Sequence, residues 1–352
     1  MIWLTLRQFR VQAAVLLGGL VALGAFLVLT RQGLVDDYGN GLAECGSVDN
    51  CGKFTRNFFD DHQTSFGAMI AVVVFVPGII GVFWGAPLIT REIEHNTHRL
   101  VWNQSITRTR WLAVKLGVIG LVAAVTAGLS ALVVDWWSDP IDKAAIKDAP
   151  RLAPLVFDAR GIVPISYAAF AFALGVTVGV VVRRTLPTMA ITLAVFVAVQ
   201  IVTPMFIRSH LIPPKTATVA ITEQNHGEMM MNGDRETMKL ALKVDVEPGA
   251  WTLTNETVDR SGKKVGEITI PATSPCRPHP PEPGGPGSPM VEPEGPSKAC
   301  FDYLAAQGFR QKVVYHPANR FWPLQWAETG LFAIVTLGLT GFCFYWTRRR
   351  LT

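Results

Sequence analysis

The sequence predicts a polytopic α-helical membrane protein with six transmembrane helices and an inserted mixed α/β, mostly β, extracellular domain between helices 5 and 6. Three observations carry that expectation. Nearly half of the 352 residues are apolar and only 17% are charged, a balance too greasy for a chain that is mainly soluble. Six apolar runs approach or exceed the roughly 20 residues a helix needs to cross about 30 Å of hydrocarbon. The stretch 208–322 is too polar to lie in lipid and too long for a simple connection, so it folds as its own domain.

The net charge of +5 is unevenly spread. The N-terminus, 90–115, 183–184 and the C-terminus together hold 12 basic residues against two acidic ones, leaving 20 basic and 25 acidic elsewhere. Short loops rich in Lys and Arg stay in the cytoplasm, so these segments face inward and both termini are expected inside a multi-pass cell-membrane protein. A nucleic-acid partner loses its main support, because the positive charge does not form a soluble basic surface.

The first crossing is read at 11–30, uncharged between Arg10 and Arg31. It is longer than a usual signal core and lacks an A-x-A cleavage site, which favours an uncleaved helix. Ahead of it, residues 1–10 mix Ile2, Trp3, Leu4, Leu6 and Phe9 with basic residues, as suits a short helix lying in the inner interface. The second crossing falls near 66–89 with Pro77-Gly78 in its middle, and the third near 112–134. The fourth and fifth, 162–182 and 186–206, flank Arg183-Arg184 as a tight hairpin. The sixth spans 324–346 and ends in three arginines. Tryptophans gather at the expected headgroup levels, with Trp84, Trp102, Trp111 and Trp346 at inner ends and Trp136, Trp137, Trp322 and Trp326 at outer ends.

Three domains follow: 1–207, with the interfacial helix and helices 1–5; 208–322, the extracellular domain; and 323–352, helix 6 with a cytoplasmic tail. In the second, 217–222, 240–246, 251–254, 265–270 and 311–315 alternate or favour β-branched residues and are read as strands. Pro and Gly fill 271–296, which is expected as a loop. Asn255-Glu256-Thr257 fits a glycosylation sequon and so suggests a surface site. Met229–Met231 beside His226 reads as an apolar contact rather than a metal site.

Cys45 and Cys51 fall in the first external loop, and Cys276 and Cys300 bracket most of the Pro-rich loop. Two local pairs on the outside suit two disulfides in an oxidising exterior. Free thiols are the alternative, and zinc lacks a completing set of ligands beside either pair.

The segment between the second and third crossings carries the most specific signal. It reads Arg91-Glu92-Ile93-Glu94-His95-Asn96-Thr97, then Val101 to Gln104, then Ser105-Ile106-Thr107-Arg108-Thr109-Arg110-Trp111, with Lys115 in the next helix. It resembles the cytoplasmic signature of type-2 ABC exporter permeases: a charged R-E-x-E-x-G-T segment, an apolar turn, a capped helix start and a lysine. Asn96 stands at the family's common glycine and, like glycine, enters the left-handed conformation that ends a helix. Trp102-Asn103-Gln104 replaces a Leu-Pro-like pair, and Ser105 or Thr107 can cap the next helix. The run from His316 to Glu328 resembles the outer approach to the final helix in actinobacterial permeases of this kind.

The resemblance implies a permease subunit of an ABC exporter that moves an amphipathic or hydrophobic substrate outward. It implies two copies of an ABC ATPase, a second permease subunit, identical or homologous, and contact with membrane lipid. Glu92, Glu94, His95, Thr97 and Arg99 would form the ATPase-coupling loop. This chain has no G-x-x-x-x-G-K-[ST] phosphate loop, and Gly262-Lys263-Lys264 lacks the spacing, so no catalysis is expected here. ATP and Mg would sit in the partner ATPase, with no cofactor in this chain. Gly175 and Gly179 form a G-x-x-x-G pair for close helix packing, within the chain or between subunits.

The crossings look nearly free of ionisable groups, with Lys115 and Glu328 near helix ends, which argues against an ion-coupled carrier. A non-transporting membrane sensor or immunity protein with a ligand-binding extracellular domain is the alternative.

Overall fold

The computed structural model describes the chain except for residues 1, 47, 95–106, 147–148, 234–236, 272, 278–296 and 351–352. It divides into a helical unit, Met1–Ile212 with Asn319–Thr352, and a second unit, Pro213–Ala318.

Helix α1 spans Ile2–Glu44 and α2 spans Val48–Ile80. A π-helical turn, Gly81–Gly85, joins α2 to α3, Ala86–Glu94. Pro77 lies one turn upstream, where its missing N–H breaks the regular ladder. Helix α4 covers Arg108–Ala144, and the short α5, Pro154–Asp158, leads into α6, Val163–Val182. Helix α7, Thr185–Val202, passes through a second π turn, Thr203–Ile207, which holds Pro204, into α8, Arg208–Leu211. In the second unit come β1 (Lys215–Ala220), β2 (His226–Gly233), β3 (Thr237–Val244), β4 (Trp251–Val258), β5 (Ile268–Pro271), α9 (Lys298–Gln307) and β6 (Arg310–His316). Helix α10, Phe321–Arg350, closes the chain. Among the described residues, six helical segments are long and apolar enough to cross a membrane.

Two expectations need correction. No break separates an interfacial helix from the first crossing: α1 is continuous, and Phe9 is buried with its ring 4.7 Å from that of Trp84. Nothing in 1–30 is a helix breaker strong enough to interrupt it. The helices also outrun the apolar windows. The 43 residues of α1 extend about 65 Å, roughly twice the hydrocarbon thickness. Hydropathy marks the part suited to lipid, whereas the helix continues wherever a neighbour covers its apolar face. Beyond the window, Tyr38 packs 5.3 Å from the ring of Phe58 across α1 and α2. Little remains of the expected first external loop: Cys45 follows α1 and Cys51 lies in the first turn of α2, at disulfide distance with Cα atoms 5.1 Å apart.

Helix α6 is the hub of the unit and is buried along most of its length, while α1 leaves Val15, Val21 and Leu29 exposed as a lipid-facing helix would. The hub needs glycines. A Cβ on Gly85 would lie 2.6 Å from the Phe172 carbonyl oxygen, and one on Gly175 would lie 2.8 Å from the Ala86 nitrogen. A Cβ on Gly179 would lie 3.0 Å from Thr90 Cγ2. The G-x-x-x-G pair therefore seats α6 against the first π turn and α3 within one chain. Gly175→Ala is expected to destabilise the protein by about 1–3 kcal/mol through overpacking against backbone that cannot yield. Gly117→Ala, with open space around the new methyl, is the neutral control in a thermal unfolding assay.

Trp84, Trp111 and Trp137 are buried between helices, whereas Trp136, Trp322 and Trp326 are exposed. The amphipathic ring serves either role, and only packing distinguishes them.

The second unit contains two antiparallel sheets, ordered β1-β6-β4 and β2-β3-β5. Alternation in β3 buries Met238, Leu240, Leu242 and Val244. Strand β2 escaped the sequence reading because methionine carries no β-branched signal; Met229 and Met231 pack on the core while Met230 is exposed. Cys276 and Cys300 lie buried at disulfide distance, Cα atoms 4.5 Å apart, tying the segment after β5 to α9. Most of the Pro-rich loop is outside the described residues. The sequon is not an open surface: Asn255 is half-buried and its Nδ2 donates to the Val244 carbonyl at 2.9 Å, while Thr257 is buried.

Candidate functional site

The signature segment begins at the end of α3. Glu92 pairs there with Lys115 of α4, whose side chain is buried and lies 4.9 Å from the centre of the Trp111 ring. Two turns of sequence logic place this pair: α3 ends where the apolar run gives out, and Thr107 starts α4 by accepting the Arg110 amide at 3.3 Å. Glu94 reaches the α6–α7 hairpin. Its carboxylate accepts the Thr185 amide at 2.9 Å and the Thr185 hydroxyl at 2.6 Å, capping α7 from another helix. The hairpin turns at Arg183, in the left-handed region with φ 60°. Both carboxylates thus bind neighbouring helices of their own chain instead of merely solvating a helix end. His95, Thr97 and Arg99 lie outside the described residues.

Sequence reasoning missed a second constellation, at the end of the bundle where α4 stops and α6 and α10 begin. Arg208 of α8 donates from Nε to Glu328 Oε2 at 2.7 Å and from Nη2 to Glu328 Oε1 at 3.0 Å, a bidentate pair. The same Nη2 contacts Asp158 Oδ1, and Nη1 donates to the Pro154 carbonyl at 3.1 Å. Tyr167 of α6 donates its hydroxyl to Glu328 Oε1 at 2.5 Å. All four side chains are at most 2% exposed. Beside them Arg160, also buried, pairs with Asp142 at 2.9 Å, and Arg151 contacts Asp142 and Asp135.

Gln325, one turn before Glu328, accepts the Ile162 and Val163 amides at 3.0 Å each and so caps α6. Gly161, at φ +62°, leaves the space for that side chain.

Of the charged members of this cluster, only Glu328 falls within a crossing as read from the sequence. Asp158 and Arg160 sit in the joint between crossings and Arg208 just past an apolar window, so hydropathy reads each as a flank. The available signal was that Asp158, Arg160, Arg208 and Glu328 all border helix ends assigned to the same side.

Six helices of membrane-crossing length among the described residues, with ion pairs at both ends of the bundle, have the make-up of a multi-pass membrane protein. The chain belongs to the family described as ABC-2 membrane transporter related, whose model matches residues 17–208, more than half of its length. Searches of curated proteins and of solved structures each found no match. The match covers α1 in part and runs through α7 to Arg208, leaving the second unit outside it. Family membership points to a permease of an ABC transporter with an ATPase partner.

Proposed function

We propose that this chain is the permease subunit of an ABC exporter that moves an amphipathic or hydrophobic substrate outward. It pairs with a second permease, identical or homologous, and with two ATPase subunits that bind ATP and Mg and perform the hydrolysis. The chain itself is not an enzyme. Both termini and the 95–106 segment face the cytoplasm, in keeping with the basic bias of those segments, and the 213–318 unit is extracellular.

The family match carries this reading. The α3 end supplies a physical route for the coupling: the chain between α3 and α4 holds His95, Thr97 and Arg99 for ATPase contact. A push on that segment reaches α4 through Glu92 and Lys115, and the α6–α7 hairpin through Glu94 and Thr185. Closure of an ATPase dimer would move three helices together.

The test is purification of the tagged chain in mild detergent with mass spectrometry of associated subunits, repeated for Glu94→Ala. Removing a cap costs about 0.5–2 kcal/mol, so the variant is expected to fold and to keep its ATPase while losing substrate-stimulated hydrolysis. Intact complexes without any Walker-type ATPase would overturn the exporter and favour a ligand sensor. A groove of about 390 Å³ in the second unit, bordered by Leu242, Asn255, Glu256 and Lys264, is the observation that favours that second reading.

A further inference from the structure

The Arg208 cluster contains two carboxylates and one cation, and its hydrogen bonds are unequally shared. Glu328 receives both arms of the Arg208 fork and the Tyr167 hydroxyl, three donors in all. Asp158 meets Arg208 only through Oδ1, and the same oxygen stands 3.5 Å from the Tyr167 hydroxyl, whose one proton is already directed at Glu328. Arg208 and Glu328 cancel. Ionised Asp158 would leave one uncompensated negative charge among side chains at most 2% exposed.

Among the described residues, the charged groups around the cluster do not supply the missing cation. From α4, Asp142 and Asp135 are matched by Arg160 and Arg151. Helix α2 contributes the Phe66 ring, 5.5 Å from the Arg160 guanidinium carbon. Helix α6 contributes Tyr167, and α10 contributes Glu328. On α8, exposed His210 turns back to the Phe206 carbonyl at 2.9 Å.

We infer that Asp158 is a proton-binding site in this cluster, holding the one proton that balances its charge. Burial is the main force on the group: it pushes the Asp158 carboxyl from 3.8 up to about 7, with Glu328 adding to the rise and Arg208 opposing it. Loss of the proton converts a charge–dipole contact between α5 and α8 into an ion pair, while the Arg208–Glu328 fork persists. The site therefore titrates the α5–α8 tie separately from the α8–α10 tie. Arg208 and Glu328 lie on the two chain segments that leave and re-enter the helical unit around residues 213–318. The inference stands apart from the transport reading, since it rests on this unit's own groups.

The full-length protein in lipid nanodiscs, titrated under infrared difference spectroscopy, tests it. Wild type is expected to lose a protonated-carboxyl C=O stretch with a midpoint of about 7, and Asp158→Asn to lack that band, while Asp142→Asn keeps it. A second reading comes from thermal unfolding. Asp158 has a folded value above its unfolded one, so its contribution is full below about 3.8 and disappears as pH rises through about 7. Wild type should thus lose stability relative to Asp158→Asn over that window. Absence of a band titrating near neutrality, its persistence in Asp158→Asn, its removal by Glu328→Gln alone, or a flat stability difference would each overturn the assignment.

Discussion

Arg208→Met is expected to cost about 3–5 kcal/mol, because it strands Glu328 as a buried acid without its cation. The loss should appear as a large fall in thermal midpoint of the detergent-solubilised chain, and Arg208→Lys should recover only part of it, since an ammonium cannot reproduce the two-armed contact with Glu328. A double Arg208→Met and Glu328→Met variant removes a cancelling pair and leaves Asp158 free to stay protonated, so it should be more stable than Arg208→Met alone. Equal loss in single and double variants would mean that packing of the guanidinium, 4.2 Å from the centre of the Phe157 ring, outweighs its charge.

The second large effect is expected at Glu92 and Lys115. Glu92→Met leaves the Lys115 ammonium buried without its carboxylate, at a cost of about 3–5 kcal/mol. Glu92→Met with Lys115→Met should restore most of that stability, because well-packed apolar replacements avoid the desolvation of both ions. The double variant separates stability from coupling: it is expected to fold while transmitting less from the α3–α4 segment to α4. A folded double variant with unchanged substrate-stimulated ATPase activity would remove this pair from the coupling route and leave Glu94 to carry it.

Much of the helical unit was legible in the sequence because its causes are local. Apolar runs report directly that a helix can lie in hydrocarbon, and Arg183-Arg184 between two of them leaves little choice but a tight hairpin, as seen between Val182 and Thr185. The unbroken α1 was not legible, since the basic residues near its start mark a membrane boundary without interrupting a helix. Strand β2 was lost for a related reason: its methionines pack by position on β3, and propensity scarcely registers that.

Glu92 and Glu94 could be singled out from sequence, but their partners could not. Lys115 is 23 residues from Glu92, and Thr185 is 91 from Glu94. The Arg208 cluster is more demanding still, as Asp158 and Glu328 are brought to one guanidinium across separations of 50 and 120 residues. By itself, the sequence determined which six segments are long and apolar enough to cross a membrane, which segments are basic, and which cysteines are near enough to pair. Hydropathy, charge and short spacing are properties of the chain alone. Tertiary structure decided which glycines face backbone, which tryptophans are interior, and which carboxylate lacks a full share of cation, because each depends on what distant segments bring into contact.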